Sequence, residues 1–293
     1  MFAHAIAPRP VERWRLLPKR KYMTLIIGKL HPDGLVISAD TEETLGTAKR
    51  SCQKLFAYTN NDVGSLVIGG AGPGPIVDEL SQLLFRYFGN LKTLTGEDIE
   101  SALRTQIREY YDASVLRWPS YEERSDNDFS LIVGLALYDG EEARYRLWIS
   151  EEGTLVAVSG TPGRVAIGIG ADYAKILLDG LMWQSALSLD VLLSIYVLQK
   201  VKKSGLNVGK ETHVLRVTRH THGIFGPLVK KAEDLFAEYE DAATRTFATT
   251  IMEKPAWEGF DADADKTTIS CIQSLREKFR SLLEEIKQNR LIP

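Results

Sequence analysis

From Met23 onward the chain is written first in short β-type runs and then in helical ones. Thr24-Leu-Ile-Ile-Gly-Lys29 is rich in β-formers, His31-Pro-Asp-Gly34 has turn chemistry, and Leu35-Val-Ile-Ser-Ala-Asp40 is a second run. This order predicts a hairpin. A second pair is predicted around Gln53–Thr59 and Ser65–Gly70, with Asn60-Asn61-Asp62 as the turn. The period then changes: Ile76, Leu80, Leu83, Leu84 and Phe88 recur at helical spacing, as do Ile99, Leu103, Ile107 and Tyr110. An acidic, breaker-rich loop is expected over Tyr121–Asp128.

β structure returns in Phe129–Tyr138, Ala143–Ser150 and Thr154–Ser159, divided by the hairpin signals Asp139-Gly140 and Glu152-Gly153. Helices near Ala171–Met182 and Leu189–Lys203 precede a strand at Thr212–Thr218. Two helices close the chain, around Pro227–Phe247 and from about Ile269 to Gln288. In the last, Ile269, Ile272, Leu275, Phe279, Leu282 and Ile286 form one apolar stripe. Hairpins and helix pairs in blocks, without alternating β-α-β crossovers, predict an α+β fold: a four-layer αββα sandwich of two antiparallel sheets between helices.

Composition narrows the setting. A chain of 293 residues can bury a full core, and a formal net charge of −3 gives no electrostatic reason to bind nucleic acid or an anionic membrane. No apolar run reaches the roughly 18 residues that span a bilayer. The two cysteines, Cys52 and Cys271, match no metal-ligand spacing or disulfide framework, which fits a reducing cytoplasm. Residues 1–23 carry Arg9, Arg13, Arg15, Lys19, Arg20 and Lys21 against Glu12, with Pro8, Pro10 and Pro18 and no apolar segment. They read as a disordered leader, a propeptide or a misassigned start.

Several familiar patterns fail on inspection. Gly70-Ala-Gly-Pro-Gly-Pro75 places Pro75 where a dinucleotide fingerprint needs its third glycine. Asp261, Asp263 and Asp265 have calcium-loop spacing, but Lys266 and Ile272 stand where that loop needs Gly and Glu. His220 and His222 lack a third metal ligand nearby.

The segment with chemical content is Met23-Thr-Leu-Ile-Ile-Gly-Lys-Leu-His-Pro-Asp-Gly-Leu-Val-Ile-Ser-Ala-Asp40-Thr, followed by Thr44-Leu-Gly46 and Lys54-Leu-Phe-Ala-Tyr58. It resembles the opening of proteasome β-type subunits and their bacterial relatives, which are N-terminal-nucleophile (Ntn) hydrolases. Val67-Ile-Gly-Gly-Ala-Gly72 resembles the family's strand and glycine loop before the first long helix. Val165-Ala-Ile-Gly-Ile-Gly-Ala-Asp-Tyr-Ala174 resembles its glycine turn into the third helix. The resemblance runs from about Met23 to Thr218. It implies a catalytic Thr24, Asp40 and Lys54, an oxyanion donor at Gly72, and a supporting role for Ser204.

A threonine hydroxyl needs a base, and the free α-amine of an N-terminal threonine is one, with an intrinsic pKa of about 7.7–8.0. An adjacent ammonium, the role implied for Lys54, lowers that amine's affinity for protons. Asp40 pairs with and orients the lysine. The predicted hairpin places Asp40 opposite Thr24 or Leu25, about 5 Å away; a slip of one residue reverses the faces.

Thr24 becomes N-terminal either by translation from Met23 with methionine removal, or by excision of residues 1–23. A family propeptide ends in Gly, so Met23 favours the first route. Two positions depart from the family: Ile169 stands where a serine is usual, and Val201, before Ser204, where an acid is usual.

The expected function is a threonine-type amidohydrolase, a peptidase acting in protein degradation on peptide or protein substrates. It needs neither metal nor organic cofactor. By resemblance it is a homo-oligomer such as a ring. The expected layout is a leader over 1–23, the hydrolase domain over 24–225 and a helical extension over 226–293. The alternative is a non-catalytic structural subunit on the same fold. Glu43 and Lys54, at the family's specificity wall, hint at a polar pocket.

Overall fold

The computed structural model describes residues 24–45, 48–92, 95–159, 163–180, 186–204, 208–209, 211–219, 221–224, 226–252 and 262–288. The leader, Gly46, Met182, Gly205-Leu206, His220 and Asp261 lie outside them. So do the side chains of Glu43, Thr44, His222, Asp263, Asp265, Lys266, Ile269, Cys271 and Ile272.

The fold is α+β. Its strands are β1 (Leu25–His31), β2 (Gly34–Asp40), β3 (Glu42–Leu45), β4 (Ala48–Ser51), β5 (Leu55–Asn60), β6 (Gly64–Ala71), β7 (Ser130–Asp139), β8 (Glu142–Glu151), β9 (Thr154–Ala157), β10 (Gly163–Gly168), β11 (Thr212–Val217) and β12 (Thr221–Ile224). The helices are α1 (Gly74–Gly89), α2 (Gly96–Tyr111), α3 (Tyr121–Asn127), α4 (Ala171–Gly180), α5 (Leu187–Lys203), α6 (Pro227–Met252) and α7 (Ala262–Gln288), with a π-helical turn after α2. One five-stranded antiparallel sheet has the order β10-β1-β2-β11-β12, and another has the order β5-β6-β7-β8-β9.

Three apolar zones organise these elements. Ile26 and Ile37 of the first sheet meet Val67, Ile132 and Leu147 of the second. The other face of the second sheet, through Ile68, Val133 and Trp148, packs on Leu80, Leu84 and Phe88 of α1 and Ile99, Leu103 and Ile107 of α2. The other face of the first sheet is covered by α4, α5 and the two tail helices. Buried on both faces, β1 and β2 read as near-continuous apolar runs without the alternation of a half-exposed strand.

The tail helices are anchored. Leu275, Leu282 and Ile286 of α7 are buried with Val229, Leu235 and Phe236 of α6 against α5, and Arg216 of β11 donates from Nη1 to the carbonyl of Ile286 at 2.7 Å. That charge caps the C-terminal end of α7, where free carbonyls attract a cation.

Some expectations need correction. The expected loop over 121–128 contains α3, because Ser120 and Glu123 form a capping box that satisfies the first amides of a short helix. Strands β3, β4 and β12 carry too weak a local pattern to be read from sequence. β10 runs into a stretch, Val165–Ala174, read only as a glycine turn. The tail helices begin or end several residues beyond the predicted limits.

Candidate active site

Thr24 stands just before β1, where backbone contacts from the end of β10 hold it. The amide of Ile169 donates to its carbonyl at 2.8 Å. Gly168, paired with Leu25 at the end of β10, has φ +95°, and a Cβ there would lie 1.9 Å from the Thr24 carbonyl oxygen. Only glycine admits this conformation and approach without strain. Gly168→Ala is therefore expected to cost about 3 kcal/mol, measurable as a lowered denaturation midpoint. Wild-type stability in that variant would show that the turn relaxes freely.

The register of the first hairpin, with Ile26 opposite Ala39, sets Asp40 across from Leu25 and resolves the choice left open by the sequence. Asp40 is fully buried and collects four donors: the amides of Leu25 at 2.8 Å, Gly209 at 2.8 Å and Glu42 at 3.2 Å, and Lys54 Nζ at 2.9 Å. A buried carboxylate requires such compensation. Lys54, itself 5% exposed, also donates to the carbonyl of Glu42. A Cβ on Gly209 would lie 2.1 Å from Cβ of Glu42 and 2.7 Å from the Asp40 carboxylate, so a side chain has no room there.

Thr24, Lys54, Gly70 and Gly72 line one cavity of about 400 Å³, with Asp40 behind Lys54. The amide of Gly70 is engaged with the Lys54 carbonyl at 3.1 Å, which leaves Gly72, of the two, as the candidate oxyanion donor. The structure thus brings Thr24, Asp40, Lys54 and Gly72 together. Ser204 does not join them: it ends α5, and its hydroxyl donates to the Val201 carbonyl at 2.6 Å.

Val201 is buried with Leu25, Ile27, Ala174, Leu198 and Val208, and Ile169 packs against the same cluster. A Cβ on Gly170 would approach Val201 Cγ1 to 2.5 Å. The two departures noted in the sequence therefore form a dry wall beside the start of β1.

Sequence reasoning did not find a polar group on the other side of Asp40. Thr212 of β11 is its cross-strand partner. The Thr212 hydroxyl lies 2.5 Å from Lys202 Nζ and 3.1 Å from Glu233 of α6. Burial holds the Lys202 ammonium below its ordinary range, opposed by the charges of Glu233 and Asp40. No local motif signals this cluster, because its members come from α5, β11 and α6.

No protein-family model matches the chain, and no curated protein matches it. Solved structures do. Anbu (ancestral beta-subunit) from Yersinia bercovieri is similar at TM-score 0.61 and 16% identity, over 81% of this chain and 99% of that one. Anbu from Hyphomicrobium sp. strain MC1 gives 0.61 and 16%, over 81% and 100%. The Anbu complex from Pseudomonas aeruginosa, solved as a helical assembly, gives 0.60 and 17%, over 80% and 100%. At these identities the likeness establishes the fold. It also corrects the resemblance read from the sequence: the similar structures are Anbu proteins, proteasome-like but distinct from the proteasome β-type subunits.

Proposed function

We propose that this chain is a threonine-type N-terminal-nucleophile amidohydrolase, a cytoplasmic peptidase on a four-layer αββα frame spanning 24–225 with a helical extension over 226–293. One observation carries the reading: Lys54, held in a buried ion pair with Asp40 behind it, lines the same cavity as Thr24.

Once Thr24 is N-terminal, its neutral amine accepts the hydroxyl proton as Oγ attacks the substrate carbonyl. The Gly72 amide supports the oxyanion. The C–N bond then breaks, the leaving amine takes the proton, and an acyl ester remains on Thr24. Water, deprotonated by the same amine, attacks that ester, and its collapse returns a proton to Oγ. Lys54 disfavours protonation of the amine, and Asp40 orients Lys54.

A second reading, a non-catalytic assembly subunit, draws on the apolar wall of Ile169 and Val201. It also draws on the helical assembly formed by the Pseudomonas aeruginosa Anbu complex.

One experiment separates the two. Purified protein is examined by intact mass for a free Thr24 amine, labelled with a β-lactone, and imaged for self-assembly. Labelling and peptide hydrolysis that disappear in Thr24→Ala are expected. Processed, assembled protein that resists the label and cleaves no peptide library would establish the second reading.

A further inference from the structure

Thr212, across the strands from Asp40, closes a triangle with two charges. Its hydroxyl accepts from Lys202 Nζ at 2.5 Å and donates to Glu233 at 3.1 Å, while Lys202 Nζ lies 3.3 Å from the same carboxylate. The three side chains come from β11, from the last turn of α5 and from the tail helix α6.

The ion pairs that join α5 to α6 are of two kinds. Lys200 and Lys203 reach Glu240 at 2.8 and 3.1 Å on a partly exposed rim, where water leaves a pair little net effect. Lys202 and Glu233 are only 13% and 19% exposed, and they enclose the buried Thr212. Docking of α6 does not require this inner pair. Val229, Leu235 and Phe236 bury that helix, and a buried ion pair adds little stability over an apolar pair of the same size.

Its place in the fold gives it another use. The Asp40 charge acts on the Lys202 ammonium alongside Glu233, so Lys202 belongs to one electrostatic group with the Lys54–Asp40 pair. Asp40 in turn accepts the amide of Leu25, the residue bonded to Thr24, and that of Gly209, which follows α5. A charge removed at Lys202 or Glu233 is therefore felt at the Thr24 nitrogen through buried groups, where screening is weak. The other titratable groups facing Lys202 are Glu211 and His213, on either side of Thr212. Burial holds the His213 imidazole below its ordinary range, so it adds no cation near neutral pH.

Building on the hydrolase reading above, we propose that Lys202 and Glu233 are positioning residues for the Thr24 reaction: they hold Thr212 beside Asp40 and set the net charge that the Thr24 amine meets from behind the site. Through one carboxylate, the tail helix α6 acts on the site.

The sign of the effect is the test. Loss of the Lys202 charge removes a cation and favours protonation of the amine; loss of the Glu233 charge removes an anion and disfavours it. Protein with Thr24 at its N-terminus is assayed on a fluorogenic peptide, with kcat and KM followed against pH well below the melting temperature. The acidic limb of kcat/KM is expected to move up by about half a pH unit in Lys202→Met, down by about as much in Glu233→Gln, and back in the double variant. In each single variant kcat is expected to fall severalfold at nearly constant KM, and Lys202→Arg should recover most of it. Glu240→Gln, which loosens only the outer pairs, is expected to leave the limb in place. A limb that stays put, or moves the wrong way, in either single variant overturns the proposal and leaves the hydrolase reading standing. If Lys202→Met does not fold, the downward shift in Glu233→Gln decides alone.

If wild-type protein cleaves no peptide, the hydrolase reading falls by itself. The link is then read by hydrogen exchange at the Leu25 and Gly209 amides that Asp40 accepts. Faster exchange there in Glu233→Gln, with none in Glu240→Gln, upholds the connection from α6 to Asp40. Exchange unchanged in Glu233→Gln, or hastened equally in both variants, reduces the pair to helix docking and ends it.

Discussion

Asp40→Asn is expected to abolish Thr24-dependent hydrolysis, lowering its rate about 10³-fold, and to destabilise the fold by about 3–5 kcal/mol. The reason is the environment of the carboxylate. Its oxygens face four donors, which compensate its burial. An amide of the same shape must turn its NH₂ toward at least one of those donors and leaves Lys54 buried without its counter-charge. The loss should therefore appear in two readouts, the kcat of folded protein held well below its melting temperature and the midpoint of chemical denaturation. Lys54→Met should reproduce the kinetic loss, because it removes the ammonium beside the candidate amine. A folded Asp40→Asn protein with near wild-type turnover would sink the assignment of Asp40 and Lys54 together.

The second large effect lies outside the site. Lys29 of β1 points away from the second sheet and pairs with Asp190 of α5, both about 1% exposed. Burial pushes the Lys29 ammonium below its ordinary range; Asp190 opposes that push, and the nearby Arg164 charge adds to it. Removing one member leaves the other charged in a dry interface. Lys29→Met and Asp190→Leu are each expected to cost about 3–5 kcal/mol. The double variant, which removes both charges, should return to within about 2 kcal/mol of wild type, since an apolar pair of similar volume avoids both desolvation costs. Urea denaturation of the four proteins reads the coupling directly. Single variants that each cost less than 1 kcal/mol would show that water reaches the pair. This interaction also bears on the candidate site, because β1 follows directly on Thr24 and carries Lys29 near its end, so a loosened β1–α5 contact is expected to displace Thr24.

The candidate site was legible to different depths at different residues. Thr24, the Asp33-Gly34 turn and Asp40 lie within a single hairpin, and hairpin pairing depends on turn chemistry and alternation over a few neighbours. The sequence therefore narrowed the partner of Asp40 to two candidates, and the observed register chose Leu25. Lys54 and Gly72, one before β5 and one after β6, line the same cavity as Thr24. Ser204 does not: its hydroxyl was free to point either way until the end of α5 offered it the Val201 carbonyl. The family name drawn from the same motifs was the weaker inference. Short glycine turns and an Ala-Asp step report a shared backbone geometry, and the structures that resemble this chain are Anbu proteins at 16–17% identity.

By itself, the sequence determined the α+β class, most strands and helices, and the hairpin that sets an acid across from the start of β1, because each depends on local periodicity and turn residues. Only the tertiary structure decided that Gly209 and Thr212 flank Asp40, and that Val201 and Ile169 make a dry wall. These are meetings between segments far apart along the chain. Their side chains have no preferred partner until the packed sheets and helices remove water and leave each buried polar group only the neighbours the fold supplies.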